Sequence, residues 1–265
     1  MKRLGLIGAQ ILVAIVFLLI WHVLSTQTFG GPKPPLDPFF FSTPLKVLER
    51  TWRDLIGGEL WRHIGITLTE TALAFVIGAA GGILFGFAFA RLKLLAAIFD
   101  PYIKAINALP RVVLAPIFAL WFGLGIWSKV ALGFTLVFFI VFFNVYQGVR
   151  EVSPTVLANA RMLGMREGQL FRHVYWPAAL TWMFSSLHTS VGFALVGAVV
   201  GEYLGSAAGL GYKIHEAESG FDVTGVFSGM LILTVVVIAV DTMVTMIENR
   251  LLVWRPEPQG VTAQG

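Results

Sequence analysis

From Val130 to Val149 twenty residues pass without a single charge, and that run alone decides the solvent in which the chain folds. A helix of that length rises about 30 Å, the thickness of a bilayer's hydrocarbon core. Runs of similar length and almost as apolar occur at Leu6–Ser25, Ile66–Ala90, Ala179–Tyr203 and Val223–Ile247. A sixth, between Lys93 and Phe122, is interrupted by Pro110 and Pro116 and carries Asp100, Lys104, Asn107 and Arg111 in its first half. The pattern predicts an all-α polytopic membrane protein with six transmembrane helices.

Composition agrees: 57% of the 265 residues are hydrophobic and only 13% charged, outside the range of soluble domains. There is no cysteine, hence no disulfide, thiolate nucleophile or cysteine zinc site. A net charge of +4 would suit an anionic polymer. The basic residues cluster at the ends of apolar runs, however, which indicates membrane topology and lipid rather than nucleic acid. Six crossings put both termini on one side. Lys2, Arg3, Arg91, Lys93, Arg150, Arg161, Arg166, Arg172, Arg250 and Arg255 predict that this side is cytoplasmic. The first apolar run exceeds a signal-peptide core and no small-residue cleavage site follows it closely, so it is expected to be a retained helix.

Four segments follow. Residues 1–30 hold the first membrane helix, and 31–63 a periplasmic loop with Pro32, Pro34, Pro35 and Pro38. That loop ends in an interfacial helix from Pro44 to His63, with Leu45, Leu48, Trp52 and Leu55 on one face. Residues 64–250 form the core membrane domain, and 251–265 a cytoplasmic tail. Two glycine ladders, Gly78, Gly82, Gly86 and Gly197, Gly201, Gly205, repeat every four residues and predict close helix packing.

A broken helix at membrane depth is tolerated only against protein or a water-filled path. Asn107 and Pro110 are therefore candidates for the translocation route, together with Ser185, His188 and Thr189 on the polar face of helix five, and Glu202 near its end. His188 fits a substrate path and an interhelical hydrogen bond equally well. Glu202 fits gating or anchoring of the glycine loop that follows, and Glu70 and Asp241 fit interfacial positions. The path shows no dedicated mid-membrane cation, which leaves the solute's charge open.

The longest polar interruption, Val156–Pro177, lies within a predicted cytoplasmic loop at 150–178. Val156, Leu157, Ala160 and Leu163 recur at helical spacing, Gly164 ends that helix, and Leu170, Phe171 and Val174 restart the pattern. The segment resembles the EAA loop of permease subunits of bacterial ATP-binding cassette (ABC) importers, E-A-A-x3-G-x9-I-x-L-P. Ala160, Gly164, Val174, Trp176 and Pro177 fall on the second Ala, the Gly, Ile, Leu and Pro. Ala158 stands where the family has Glu, and Asn159 where it has the first Ala. The stretches ALPRVVLAPIFALWFGLG, VVGEYLGSAAGLGYKI and IENRLLVWRP are similar to the nitrate, sulfonate and taurine branch.

The resemblance implies a type I importer fold. It also implies a coupling loop that seats in an ATPase, through Ala158, Asn159, Ala160, Arg161, Gly164, Arg166, Glu167, Val174 and Pro177. The implied partners are two ATP-binding subunits, a periplasmic or lipid-anchored substrate-binding protein and a second permease copy, as a homodimer in a bacterial inner membrane. No G-x4-G-K-[ST] loop occurs, so ATP and Mg are expected on the partner chain, with no cofactor or metal here. His215-Glu216 opens a zinc motif, but Ser219 occupies the place of the second histidine. A stand-alone secondary carrier or channel would show inverted repeats and midplane proton relays. A membrane-embedded enzyme would need a catalytic constellation, and none is evident.

Overall fold

The structure is a computed structural model and describes residues 2–28 and 33–251; the tail from 252 on, with Arg255, and the start of the proline-rich loop lie outside them. Every regular element among the described residues is helical. Helix α1 (Lys2–Thr26) is followed by the short α2 (Pro38–Phe41), whose first turn is capped by the Asp37 carboxylate accepting from the Phe39 N–H at 2.9 Å. Helix α3 (Pro44–Ile56) opens with Thr43 as cap and Pro44 in the first turn, where the missing N–H costs nothing. The expected interfacial helix ran on to His63, but α3 stops at Ile56. Gly58 has φ +80°, a left-handed conformation that glycine adopts freely, and α4 (Glu59–Arg91) starts directly after it.

The interrupted run is two helices, α5 (Lys93–Ala108) and α6 (Ala115–Phe122), joined through a 3-10 turn at Arg111–Leu114 and bent by 89°. Pro110 sits at the break and cannot donate to the preceding turn. Helix α7 (Ile126–Arg150) precedes α8 (Pro154–Met162) and α9 (Glu167–Leu170). A wide π turn at Phe171–Tyr175 carries α9 straight into α10 (Trp176–Gly205). Pro177 stands in the first turn of α10, and the Trp176 N–H just before it reaches back five residues to the Phe171 carbonyl. Helix α11 (Leu210–Ser219) lies inside the glycine-rich connection, and α12 (Val223–Leu251) ends the described chain. Among the described residues α1, α4, α7, α10 and α12 are long and apolar enough to cross a membrane singly, with α5 and α6 as a sixth span in two pieces.

Two compact units share the chain. One comprises residues up to Leu68 with Val199–Val236; its core holds Leu60, Leu210 and Ile232. Within it the Glu202 carboxylate, 1% exposed, accepts from the Thr67 hydroxyl at 2.6 Å and the Gly211 N–H at 2.7 Å. His63 Nδ1 accepts from the Gly209 N–H and Thr67 Oγ1 from the Leu210 N–H, both at 2.9 Å. Three side chains thus satisfy the backbone donors at the start of α11, and that is why a sequence so rich in breakers becomes a helix there.

The other unit comprises Thr69–Ala198 and the chain from Val237 on. Its core is a contact between α4 and α7. Gly78, Gly82 and Gly86 lie against Val137, Val141 and Val145, so near that a Cβ on each glycine would come within 2.7–2.8 Å of the valine Cβ. Gly133 repeats the device: a Cβ there would meet Ala74 Cβ at 2.7 Å and the Ala194 carbonyl oxygen at 3.3 Å, which makes it the crossing point of α4, α7 and α10. Gly197 faces Gly133 at this crossing. The last two glycines of that ladder belong to the first unit, Gly201 buried and Gly205 half-buried at the end of α10. Glu70, expected near a helix end, is buried well inside α4 because that helix starts earlier than its apolar run.

Candidate functional site

Helix α8 has two faces. Ala160 is buried, and the core it joins continues through Leu170 and Tyr175. Ala158, Asn159 and Arg161 are exposed, and the tip beyond them presents Met162 and Leu163 at 86% and 80% exposure. The turn behind them is tightly specified: Gly164 takes φ +78°, its N–H donates to the Arg161 carbonyl at 2.9 Å, and the Met165 N–H donates to the Ala160 carbonyl at 3.1 Å. This pair of bonds is a Schellman cap, which requires a left-handed residue where the glycine stands. The Arg166 N–H then donates to Gln169 Oε1 at 2.8 Å and starts α9.

Glu167 fastens the elbow to the rest of its unit. Its carboxylate pairs with Arg91, the last residue of α4, and with Arg161 at 3.5 Å. Arg91 also lies over the Tyr175 ring, 4.4 Å from its centroid. The hydrogen bond and charge of Arg91, then Arg161, hold the Glu167 carboxyl below the usual glutamate range. Val174 is half-buried against the core, and Pro177 is exposed on the first turn of α10. The residues named for coupling therefore fall on one continuous body, α8–α9–α10, anchored at Arg91. Sequence reasoning saw Arg91 only as a topology marker; its partner is 76 positions away and no local spacing could show it.

The path candidates do not form a single cluster. At the broken helix Asn107 Oδ1 accepts from Arg111 Nη2 at 2.6 Å, while Arg111 Nη1 donates to the Thr135 carbonyl at 2.8 Å. The guanidinium lies 4.7 Å from the centre of the Phe139 ring, near the midpoint of α7. Its hydrogen-bond acceptors are neutral oxygens, and no carboxylate among the described residues pairs with it. The sequence reading found no mid-membrane cation; the bend at Pro110 brings Arg111 beside the middle of α7. Elsewhere, His188 Nδ1 lies 2.8 Å from Glu248 and Nε2 lies 3.5 Å from Asp241, both on α12, so the ring bridges helices. Ser185 and Thr189 are exposed on the same helix, and Glu202 is fixed in the other unit by the contacts already described.

Six apolar spans, one of them broken around an arginine, together with a two-faced polar elbow rigidly continued into a membrane helix, define a multi-pass helical permease. Residues 78–253 match the family described as binding-protein-dependent transport system inner membrane component. The chain belongs to that family and is the permease kind of subunit of ABC importers, a transport component rather than an enzyme. It is 32% identical to the putative aliphatic sulfonates transport permease protein SsuC of Bacillus subtilis, over 98% of this chain and 91% of that one. It is 31% identical to the formylaminopyrimidine transport permease protein ThiX of Halalkalibacterium halodurans, over 91% and 93%. With the taurine transport system permease protein TauC of Escherichia coli it shares 25% identity, over 92% and 88%. Its fold is similar to a crystal structure of an amino acid ABC transporter with histidines, with a TM-score of 0.59 at 20% identity over 78% of this chain and 96% of that one. The MetNI methionine ABC transporter, in inward facing conformations, gives a TM-score of 0.56 at 17% identity over 74% and 94%.

Proposed function

We propose that this subunit imports a small nutrient that carries an oxyanion group, an aliphatic sulfonate such as the zwitterion taurine or an oxyanion such as nitrate, with the energy supplied through its α8–α9 elbow. The observation that carries the reading is the pairing of a bare Met162–Leu163 tip with a buried Ala160–Leu170 base. The tip meets the cleft of a separate ATP-binding subunit, and the base transmits the displacement. The Schellman cap at Gly164 and the Arg91–Glu167 pair keep the elbow from folding under load. Movement then passes into α10 without crossing a loop. ATP and Mg belong to that partner, present as two copies. A second copy of this chain completes the path as a homodimer, and a periplasmic or lipid-anchored binding protein delivers solute. Both termini and the elbow are cytoplasmic, while α2, α3 and α11 lie at the periplasmic side.

One relative is named for aliphatic sulfonates and another for taurine, and Arg111 gives the oxyanion a physical basis. A cation beside the middle of a membrane helix is expensive unless it meets water or a counter-charge, and an anionic group on the solute supplies that charge in transit. The test is ATP-dependent uptake of radiolabelled taurine and nitrate by cells that carry the complete transporter. Uptake of either that requires the ATP-binding subunit supports the reading. Saturable uptake with that subunit deleted contradicts it and favours a stand-alone carrier.

A further inference from the structure

Beside the elbow, and sharing Arg91 and Arg161 with it, lies a cavity of about 810 Å³. It opens between the ends of α4 and α7, one face of α5, and α8. Its polar rim carries Arg91, Lys104, Arg150 and Arg161; its floor is apolar, from Phe89 and Val149. The four cations have two carboxylate partners. Asp100 pairs with Lys104 at 2.6 Å, and Arg91 and Arg161 share Glu167. Arg150 pairs with no carboxylate among the described residues: it donates to the Tyr146 hydroxyl at 2.8 Å and lies over that ring. Two positive charges are therefore unmatched around one open cavity.

We infer that this cavity binds a phosphate-bearing anion. Arginine forks and a lysine ammonium suit tetrahedral oxyanions, and one dianion or two monoanions would neutralise the surplus. On its far side α5 exposes Leu94, Ile98 and Tyr102 at successive turns, an apolar face suited to lipid. The cations thus meet the apolar band where the phosphates of a bilayer leaflet lie, and the Phe89–Val149 floor suits the first carbons of an acyl chain. Lipid headgroup and soluble phosphate share the recognition chemistry. With an anion seated, Lys104, Arg150 and Arg161 are linked through it, and the elbow is tied to α5 and α7 as well as to α4.

Binding is read on the full-length permease in a neutral detergent, by native mass spectrometry and thermal unfolding. The probes are phosphatidylglycerol, phosphatidylcholine and inorganic phosphate. Phosphatidylglycerol is expected to stay bound and raise the unfolding midpoint while phosphatidylcholine does neither. Lys104→Gln with Arg150→Gln is expected to weaken that binding about fivefold for each charge removed, with Arg150→Lys retaining most of it. A shift with inorganic phosphate but not with the lipid keeps the site and makes its ligand soluble. Equal binding of the two lipids without a phosphate effect, or undiminished phosphatidylglycerol binding by the double variant in its folded form, overturns the inference. None of these readouts requires transport, so a failure here is separable from a failure of the coupling scheme.

Discussion

Gly82 and Val141 touch so closely that α4 and α7 can pack only while position 82 has no side chain: a Cβ there would lie 2.7 Å from Val141 Cβ and 2.9 Å from the Phe138 carbonyl oxygen. Backbone cannot retreat as a flexible side chain can, so Gly82→Ala is expected to destabilise the protein by about 1–3 kcal/mol. Gly192→Ala, with nothing within 4 Å of its Cβ, should cost nothing in the isolated chain. Denaturant unfolding of the two variants in detergent makes the comparison, and equal stability would show that the contact is loose.

The buried end of α10 gives a second prediction. Gly209 has φ +114°, and a Cβ there would run into the Glu202 carboxylate, so strain and clash add at Gly209→Ala. Replacing Glu202 by Gln exchanges one acceptor for an amide donor where the Thr67 hydroxyl and the Gly211 N–H both need acceptors. That change is expected to cost about 1–3 kcal/mol. Hydrogen exchange at Leu210–Ile214 reports it: faster exchange in both variants is expected, and native rates would remove the anchoring role.

Much of this architecture was legible from the chain alone, because membrane helices must satisfy their own backbone and leave long apolar runs as their record. The Gly78, Gly82, Gly86 ladder was visible for the same reason, since its four-residue period lies on one helix face. Helix α11 was not. Gly209 before it and Gly211 within it look like breakers, and two of the three side chains that hold it, His63 and Thr67, lie more than 140 positions away. Lys129 escaped notice because it borders the uncharged run; it is buried by folding its ammonium back onto the Leu124 carbonyl at 2.6 Å. The position of Arg111 depends on an 89° bend that proline permits but does not specify.

Glu167 sets the acid limit of the elbow. Its folded-state pKa is lowered, first by Arg91 and then by Arg161, so its contribution is complete above the ordinary glutamate pKa of 4.5 and is lost as pH falls through the depressed folded value. Hydrogen exchange across Met165–Leu170, corrected for intrinsic rates, should be flat from roughly pH 8 to pH 5 and rise only under stronger acid. A loss of protection between those limits would mean that the pair with Arg91 does not hold the elbow.

Arg111→Met is expected to lower uptake of an anionic solute about tenfold or more, the loss of one charge-assisted contact, while the ATP-binding subunit still copurifies. Arg111→Lys keeps the charge and should keep most of the transport. Unchanged uptake by the methionine variant would remove the arginine from the path and leave it a structural tie to Thr135.

The central claim is mechanical: the α8–α9 elbow receives force from another subunit. It is tested most directly by the amount of ATP-binding subunit that copurifies with a tagged permease carrying both Gly164→Val and Arg166→Glu. Nothing crowds position 164, so valine acts there through the φ of +78°, a conformation costly for a β-branched residue. The expected result is a variant that inserts in the membrane at the wild-type level and retains less than about a tenth of the partner. Wild-type recovery of the partner together with full transport would contradict the account.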